Sequence, residues 1–356
     1  MSSSLSLSHT MEPQKNVVLK TFEDVDSYFK KGCFHHGLTM RHQNFIVDRS
    51  VMDCFYHRLS HCTIGDIIRI KNCTFPIQSC FWKALLINKY VKYMWITNVR
   101  FVDNEHETLL GGCSLDDTRI IRLEVENTLL NIWSLRFLER WSMRTHIRHL
   151  GLSNVIDDPI HLYGFLRSVA RPSNKVTYFR LENMPFKTLQ DFENIATMVR
   201  QLTHVQSFIF KGHGLASLPG AMKILAWMVE DMPDVRAISV TDFAADQAVD
   251  LAKTVLTRPK LNLLNLGAKG WSRATNIEFL WPFIDVHNNH HMYLTFRSAD
   301  NPTLVRWFYN MDYFETKFFR IIFALCSVRH VPRLGSRAAV KCLSVDLLRY
   351  VAKTLH

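Results

Sequence analysis

The sequence lacks the runs and residue types that mark secreted, membrane-spanning or fibrous proteins. Its 356 residues include only 13 Gly and 11 Pro, too few for a collagen-like or low-complexity chain, and 8 scattered Cys, too few for a disulfide scaffold. The N-terminus shows no basic segment followed by an apolar core, and no apolar run approaches about 18 residues. We therefore expect no secretory signal, no membrane attachment, and a reducing cytoplasmic or nuclear location.

Motifs of catalysis and cofactor binding are missing as well. The sequence contains no phosphate-binding loop, no dinucleotide-binding glycine motif, no serine nucleophile elbow and no zinc-protease motif. Two clusters, Cys33–His36 and His287–His291, have no second pair at the spacing of a structural zinc site, so packing explains them more simply. We expect no catalytic residue, no metal site and no cofactor, and we predict that the protein is not an enzyme.

The composition that is present is that of a folded, basic protein. Apolar residues make up 47% and aromatic residues 12% of the chain, which excludes wholesale disorder. The 43 Lys and Arg outnumber the 32 Asp and Glu, for a formal net charge of +11. Such a charge favours an acidic partner without identifying it.

One short pattern recurs along almost the whole chain. It reads apolar-x-x-apolar-x-apolar, followed by two polar residues and a small or apolar residue, and it is clearest at 147–155 and 176–184. The copies follow one another at intervals of about 28–29 residues. Counting the first residue of each as position 1, copies begin at residues 35, 65, 91, 120, 147, 176, 205, 235, 261, 291 and 320.

Positions 4 and 6 support this repeat, because both are apolar in every copy. Position 4 is occupied by Leu38, Ile68, Met94, Leu123, Leu150, Phe179, Phe208, Ile238, Leu264, Leu294 and Phe323. Position 6 is occupied by Met40, Ile70, Ile96, Val125, Leu152, Leu181, Phe210, Val240, Leu266, Phe296 and Leu325. Alternation of this kind predicts a short strand with positions 4 and 6 in the core and positions 3, 5 and 7 on the opposite face.

The segments between these strands have a helical period. One predicted helical stripe consists of Leu189, Phe192, Ile195, Met198, Val199 and Leu202, and another of Met222, Leu225, Val229 and Met232. Thr21 and Asp24 predict a helix start ahead of Val25 and Phe29. Regular alternation of strands and helices predicts a parallel sheet. Because packed helices need more space than paired strands, we expect the strands on a concave side.

The repeat resembles that of the leucine-rich-repeat superfamily, over about residues 35–330. Its length is similar to that of the ribonuclease-inhibitor-like class, and its irregular position 9, where the best-known consensus has Asn, is similar to the repeats of F-box-associated proteins. The resemblance implies an α/β solenoid, or horseshoe, with parallel concave strands and convex helices. We accordingly expect a disordered tail at 1–16, an N-terminal cap at 17–34, about eleven repeats at 35–335 and a C-terminal cap helix at 336–356.

The repeat frame also predicts which side chains occupy the open face of the strands. The candidate partner-binding patch combines aromatic and basic residues at positions 3 and 5: Arg69, Tyr93, Trp95, Arg122, Tyr178 and Arg180. The alternative is that a neighbouring loop or a chain end covers this face. Position 8 holds Asn in five consecutive copies, which turn chemistry explains, while a functional ladder is the alternative: Asn72, Asn98, Asn127, Asn154 and Asn183.

Several functions remain compatible with this architecture. The leading expectation is a monomeric, non-enzymatic scaffold that recognises a protein partner, possibly an acidic one, on its concave face. A more specific version is a substrate receptor of a cullin-type ubiquitin ligase. No Leu-Pro-led F-box pattern precedes the repeats, and the alternative is a degenerate motif over 17–64, in which case the first copy is wrongly placed. Nucleic-acid binding is a further alternative, because residues 303–356 carry nine Lys and Arg against three Asp and Glu. Regulation of a small GTPase ranks last, since no motif supports it.

Overall fold

The structure, a computed structural model, describes most of the chain up to residue 269 and two later strands. The described residues are 14–32, 38–61, 66–103, 119–143, 146–156, 158–171, 174–184, 186–244, 247, 251, 254–255, 258, 260–269, 293–298 and 305–308. The chain divides into two compact units, residues 1–175 and 176–356.

Strands and helices alternate in the first unit. Its strands are β1 (Lys15–Leu19), β2 (Leu38–Arg41), β3 (Gln43–Val47), β4 (Ile67–Lys71), β5 (Thr74–Ile77), β6 (Tyr93–Thr97), β7 (Arg100–Asp103), β8 (Arg122–Glu126) and β9 (His149–Ser153). Its helices are α1 (Phe22–Gly32), α2 (Met52–His61), α3 (Gln78–Leu86), α4 (Ile132–Ser142) and α5 (Tyr163–Val169).

These strands form two parallel sheets. The main sheet joins β2, β4, β6, β8 and β9 in that order, and the side sheet joins β1, β3, β5 and β7. In the main sheet each residue faces the residue at the same repeat position in the next copy, as where Trp95 lies opposite Arg69 and Glu124. The predicted main strands and their frame are confirmed, whereas the side sheet was not predicted.

The second unit repeats the arrangement of the main sheet. Its strands are β10 (Tyr178–Glu182), β11 (Ser207–Lys211), β12 (Ala237–Ala244), β13 (Leu263–Lys269), β14 (Tyr293–Ser298) and β15 (Val305–Phe308), and its helices include α6 (Leu189–Val199) and α7 (Ala221–Glu230). Strands β10 to β14 are parallel, while β15 runs antiparallel to β14. The antiparallel strand departs from the repeat and was not predicted.

The core lies behind the main strands, where positions 4 and 6 point. From Leu38 to Leu266, every side chain at these two positions is at most 1% exposed. Full burial of one such aliphatic or aromatic side chain stabilises the fold by about 1.5–3 kcal/mol. The predicted core is confirmed for these copies, and Leu294, Phe296, Phe323 and Leu325 lie outside the residues whose side chains are described.

The helix predictions agree with the structure except at one residue. At the start of α1, the Asp24 backbone N–H donates to Thr21 Oγ1 at 3.1 Å, and the Thr21 N–H donates to Asp24 Oδ2 at 2.9 Å. The α7 stripe is buried, and the α6 stripe is buried apart from Leu189, which is 37% exposed. Leu189 is the first residue of α6 and the exposed member of that stripe.

A sharp corner lies at repeat position 8 in the first eight copies. From the first copy to the eighth, every residue there has a positive φ: His42, Asn72, Asn98, Asn127, Asn154, Asn183, Gly212 and Asp242. Asn, Asp and Gly adopt this left-handed conformation most readily. The predicted turn role of the asparagines is confirmed. In the first unit the corner directs the chain from β4 into β5 and from β6 into β7.

The asparagine corners also bond to one another within the first unit. Asn98 Nδ2 donates to Asn72 Oδ1 at 2.8 Å, and Asn154 Nδ2 donates to Asn127 Oδ1 at 3.0 Å. Backbone hydrogen bonds from Asn72 to Thr97 and from Asn98 to Glu126, of 2.9 Å each, extend the main sheet through the corner. The asparagine side chains at these corners are therefore joined in two pairs, Asn72 with Asn98 and Asn127 with Asn154.

The α/β prediction is confirmed by both units, in which sequential parallel strands alternate with helices in the manner of a leucine-rich-repeat solenoid. The predicted boundary between tail and cap, at residues 16 and 17, falls within β1. The predicted cap helix at 336–356 and the copy beginning at residue 320 lie outside the described residues. Within the described part of the chain, no helix has the length and apolar character needed to cross a membrane.

Candidate functional site

Trp95 is the centre of the predicted patch in the first unit. It is half-buried at repeat position 5, on β6, with β4 on one side and β8 on the other. The guanidinium carbon of Arg69 lies 5.0 Å from the centroid of the Trp95 ring, and that of Arg122 lies 4.7 Å from it. The Tyr93 ring is 6.2 Å away and inclined by 27°. The structure therefore brings four of the six predicted residues into one cluster.

Contacts of this kind hold the indole firmly. A guanidinium over an indole face contributes about 0.5–2 kcal/mol, depending on how much water surrounds it. Arg69 and Arg122 lie on the two strands that flank Trp95, and both guanidinium groups contact its ring system. The indole is thus restrained by the chain's own side chains.

Glu124 fixes the position of Arg122. Its Oε1 accepts from Arg122 Nη2 at 2.5 Å and Nε at 3.0 Å, and it lies 2.7 Å from His149 Nε2. Burial by itself would raise the pKa of Glu124, but hydrogen bonds from His149 and Arg122 and the charge of Arg122 outweigh it and lower the pKa to about 2. The carboxylate is therefore charged at neutral pH and anchors the edge of the cluster.

Glu124 and His149 were missed as site residues. Both occupy the open strand face, at positions 5 and 3 of their copies, and the register was predicted. The usable signal was the spacing of Arg122 and Glu124, because residues two apart on a strand point to the same side. That spacing shows proximity, but the shared contact with His149 depends on side-chain conformations.

The other two predicted residues, Tyr178 and Arg180, belong to the second unit. Tyr178 is half-buried on β10. Arg180 donates to Glu182 Oε2 from Nε at 2.9 Å and from Nη2 at 2.6 Å, and Lys211 Nζ lies 3.8 Å from Glu182 Oε1. Arg180 is thus neutralised by a carboxylate of its own strand.

Not every position predicted to be open is exposed. Gly151, Ser153, Ser239, Gly267 and Ala268 are buried, so the prediction of exposure is wrong for them. These residues are buried because their side chains are short and larger neighbouring side chains cover them. At Gly267, for example, an added Cβ would lie only 2.9 Å from Thr241 Cγ2.

Reactive groups in the described residues are few. Cys54, Cys73 and Cys80 are free thiols, and burial raises the pKa of Cys73 to about 11, which confirms the predicted packing role of that residue. Among the described residues, no group of three or more His, Cys, Asp and Glu could hold a metal ion. The clusters at Cys33–His36 and His287–His291 lie outside the described residues.

One cavity opens on the helical side of the first unit. It has a volume of about 220 Å³ and lies between α2 and α3. Its lining residues are Asp53, Tyr56, His57, Ser60, His61, Cys80, Lys83, Ala84 and Ile87. Burial raises the pKa of the Cys80 thiol, so this cysteine is not activated as a nucleophile.

The fold and the strand face define an α/β repeat protein. The sequence matches no protein-family model and no curated protein.

Proposed function

We propose that this chain is a leucine-rich-repeat protein of the ribonuclease-inhibitor-like class that recognises a protein partner on the concave face of its strands, without an enzymatic activity of its own. The observation that carries the proposal is the position of Trp95, half-buried on the main sheet between Arg69 and Arg122. Trp, Tyr and Arg are the residues that most often dominate the energy of protein interfaces.

The restrained geometry of the cluster supports the same proposal. A side chain that is ordered before binding loses little entropy when the partner arrives, so more of the contact energy contributes to affinity. Glu124 keeps Arg122 against Trp95, and Tyr93 lies beside the indole on the same strand. The free thiols of Cys54, Cys73 and Cys80 fit a location in the reducing cytoplasm or nucleus.

The test is a comparison of two tryptophan variants. Trp133 on α4 is a matched control, because it is also half-buried and has the Arg136 guanidinium carbon 4.9 Å from its ring centroid. In quantitative affinity purification from a cell lysate, we expect Trp95→Ala to reduce recovery of the partner at least tenfold, and Trp133→Ala to leave it within about twofold. Circular dichroism verifies that both variants fold. Equal recovery with the two variants would contradict the proposal.

A more specific version makes the chain a substrate receptor of a cullin-type ubiquitin ligase, on the strength of the resemblance of its repeats to F-box-associated ones. The described residues between Lys15 and His61 form strands and helices that pair with later copies. A Skp1-type adaptor would therefore bind either to these repeat copies or to a segment outside 15–61. The version predicts co-purification with a Skp1-type adaptor and a cullin, and the absence of both from the purified complex would refute it.

A further inference from the structure

Three cations on the main sheet of the first unit have no carboxylate partner among the described residues. Arg41 lies on β2, and Arg69 and Lys71 lie on β4; all three are exposed. Arg41 and Lys71 are opposite each other in the register, on strands about 4.8 Å apart. Arg69 occupies the same face as Lys71, two residues earlier. The three positive charges are therefore grouped at the edge of the Trp95 cluster.

Other cations on the main strands, among the side chains that the structure describes, pair with carboxylates of the chain itself. Arg122 pairs with Glu124 at 2.5 Å, and Arg180 pairs with Glu182 at 2.6 Å. Lys269 pairs with Asp242. In contrast, the sequences of β2, β4 and β6 contain no Asp or Glu. The open face thus contains a region where these three strands contribute no carboxylate and like charges are adjacent.

We propose that Arg41, Arg69 and Lys71 form an anion subsite that takes acidic side chains of an extended segment of a partner protein. This inference rests on the proposed function, because the same segment would contact Trp95. An incoming anion would relieve the repulsion between Arg41 and Lys71 and accept charge-assisted hydrogen bonds from them. Arg69 already touches Trp95, so an acidic residue bound there lies next to the indole.

The recognised chemistry is an anionic side chain, either a carboxylate or a phosphate. The probes are fluorescein-labelled peptides with four central glutamates, four phosphoserines or four glutamines between Gly-Ser ends, measured by fluorescence anisotropy. The test variant is Arg41→Glu, Arg69→Glu and Lys71→Glu combined. The control variant is Lys20→Glu, Arg49→Glu and Arg140→Glu, since these exposed cations lie off the main strands and give the same change in net charge.

We expect at least one anionic peptide to bind the wild-type chain and the glutamine peptide not to bind. The test variant should weaken this binding at least tenfold, and the control variant by less than about twofold. The ratio of the glutamate to the phosphoserine affinity identifies the preferred anion. Equal weakening by both variants, or no binding of either anionic peptide, would overturn the subsite. If the chain binds single-stranded RNA but neither anionic peptide, and the test variant loses the RNA, the site takes nucleic acid and the peptide subsite is overturned.

The partner recovered in the affinity purification separates this inference from the proposed function. Loss of that partner with both Trp95→Ala and the charge-reversed test variant supports both. Loss with Trp95→Ala alone leaves the proposed function in place and overturns the anion subsite. Retention with Trp95→Ala overturns the proposed function, whatever the peptides do.

Discussion

His213 is buried with both of its ring nitrogens facing backbone carbonyl oxygens. Nδ1 lies 2.9 Å from the oxygen of Met184, and Nε2 lies 2.9 Å from that of Leu181. A neutral imidazole can donate to one of these oxygens, whereas an imidazolium could donate to both. Burial nevertheless dominates over these contacts and lowers the pKa of His213 from 6.5 to about 4. The residue is therefore neutral in the folded protein at physiological pH.

This shift makes the free energy of unfolding depend on pH. The folded-state pKa lies below the unfolded value, so the unfolded chain binds a proton that the folded chain does not, and stability falls as the pH drops from about 6.5 towards 4. Between pH 7.5 and pH 5 we expect a loss of about 2 kcal/mol from this residue, measured by urea denaturation.

A His213→Gln variant isolates the contribution of the imidazole. It retains a donor for one of the two carbonyl oxygens but does not titrate. Its overall stability will be lower at pH 7.5, yet its loss between pH 7.5 and pH 5 should be smaller than the wild-type loss by about 2 kcal/mol. An identical pH dependence in the two proteins would show that folding does not shift the pKa of His213.

At the scale of single residues, the sequence predicted much of the candidate site. Trp95, Arg69 and Arg122 were assigned to one patch because alternation along a strand determines which side chains share a face. The role of Glu124 was not predicted, because it depends on burial and on the meeting of three side chains from two strands. The burial of Gly151 was also missed. Alternation predicts the face of the sheet to which a side chain points, but not how far neighbouring side chains extend over a short one.

At the scale of elements, the side sheet is what sequence reasoning did not predict. A phenylalanine recurs at position 11 in its strands, and the Phe45 and Phe75 rings stack with centroids 4.8 Å apart. That recurrence was visible in the sequence. The strand signal was weak because Ile46 and Val102 are apolar although they are 48% and 75% exposed. With apolar residues on both faces, alternation over four or five residues no longer indicates a strand.

The corner between β6 and β7 depends on Asn98. Its φ is 52°, a conformation that costs an alanine about 1–2 kcal/mol, and its side chain donates to Asn72. We expect Asn98→Ala to lower the free energy of unfolding by about 2–3 kcal/mol, because it loses the hydrogen bond and strains the backbone. Asn98→Gly loses only the hydrogen bond and gains chain entropy on unfolding, so about 1–2 kcal/mol is expected. Urea denaturation measures both.

Asn44 is a suitable control for this comparison. Its Nδ2 donates to Asn16 Oδ1 at 3.0 Å, and it lies in β3, outside the left-handed region. For Asn44 the order of the two variants should reverse, with Gly less stable than Ala, because glycine weakens a strand. If Asn98→Gly is instead the less stable of the pair at the corner, the left-handed conformation does not determine its stability.

At the scale of the molecule, the strand of each repeat copy pairs with its neighbours in the same register. Equivalent positions pair across strands whose copies begin 26–30 residues apart, as Trp95 pairs with Glu124 and Glu124 with Gly151. In a repeat protein each copy contacts mainly its neighbours, so the array tolerates a change in copy number better than a change in spacing. The charge of +11 does not alter this argument, because its effect is on partners and solubility.

Removal of one complete copy should therefore preserve the fold of the first unit. Deletion of 120–146 takes out β8 and α4 and joins residue 119 to Ile147, which is position 1 of the next copy. Strand β9 can then pair with β6 in the same register, with Gly151 opposite Trp95. We expect a folded protein that unfolds cooperatively at a lower urea concentration and has lost the helical signal of α4, as measured by circular dichroism.

Removal of half a copy should have a different result. Deletion of 133–146 leaves β8 in place but connects it to β9 by only residues 127–132, Ile147 and Arg148. Parallel neighbours need a crossover of about a dozen residues or more, so this connection is too short, and β9 cannot take its place in the sheet. We expect aggregation or loss of cooperative unfolding. If the full-copy deletion fails in the same way, the nearest-neighbour description of this array is wrong, and the copies depend on contacts beyond those of adjacent strands.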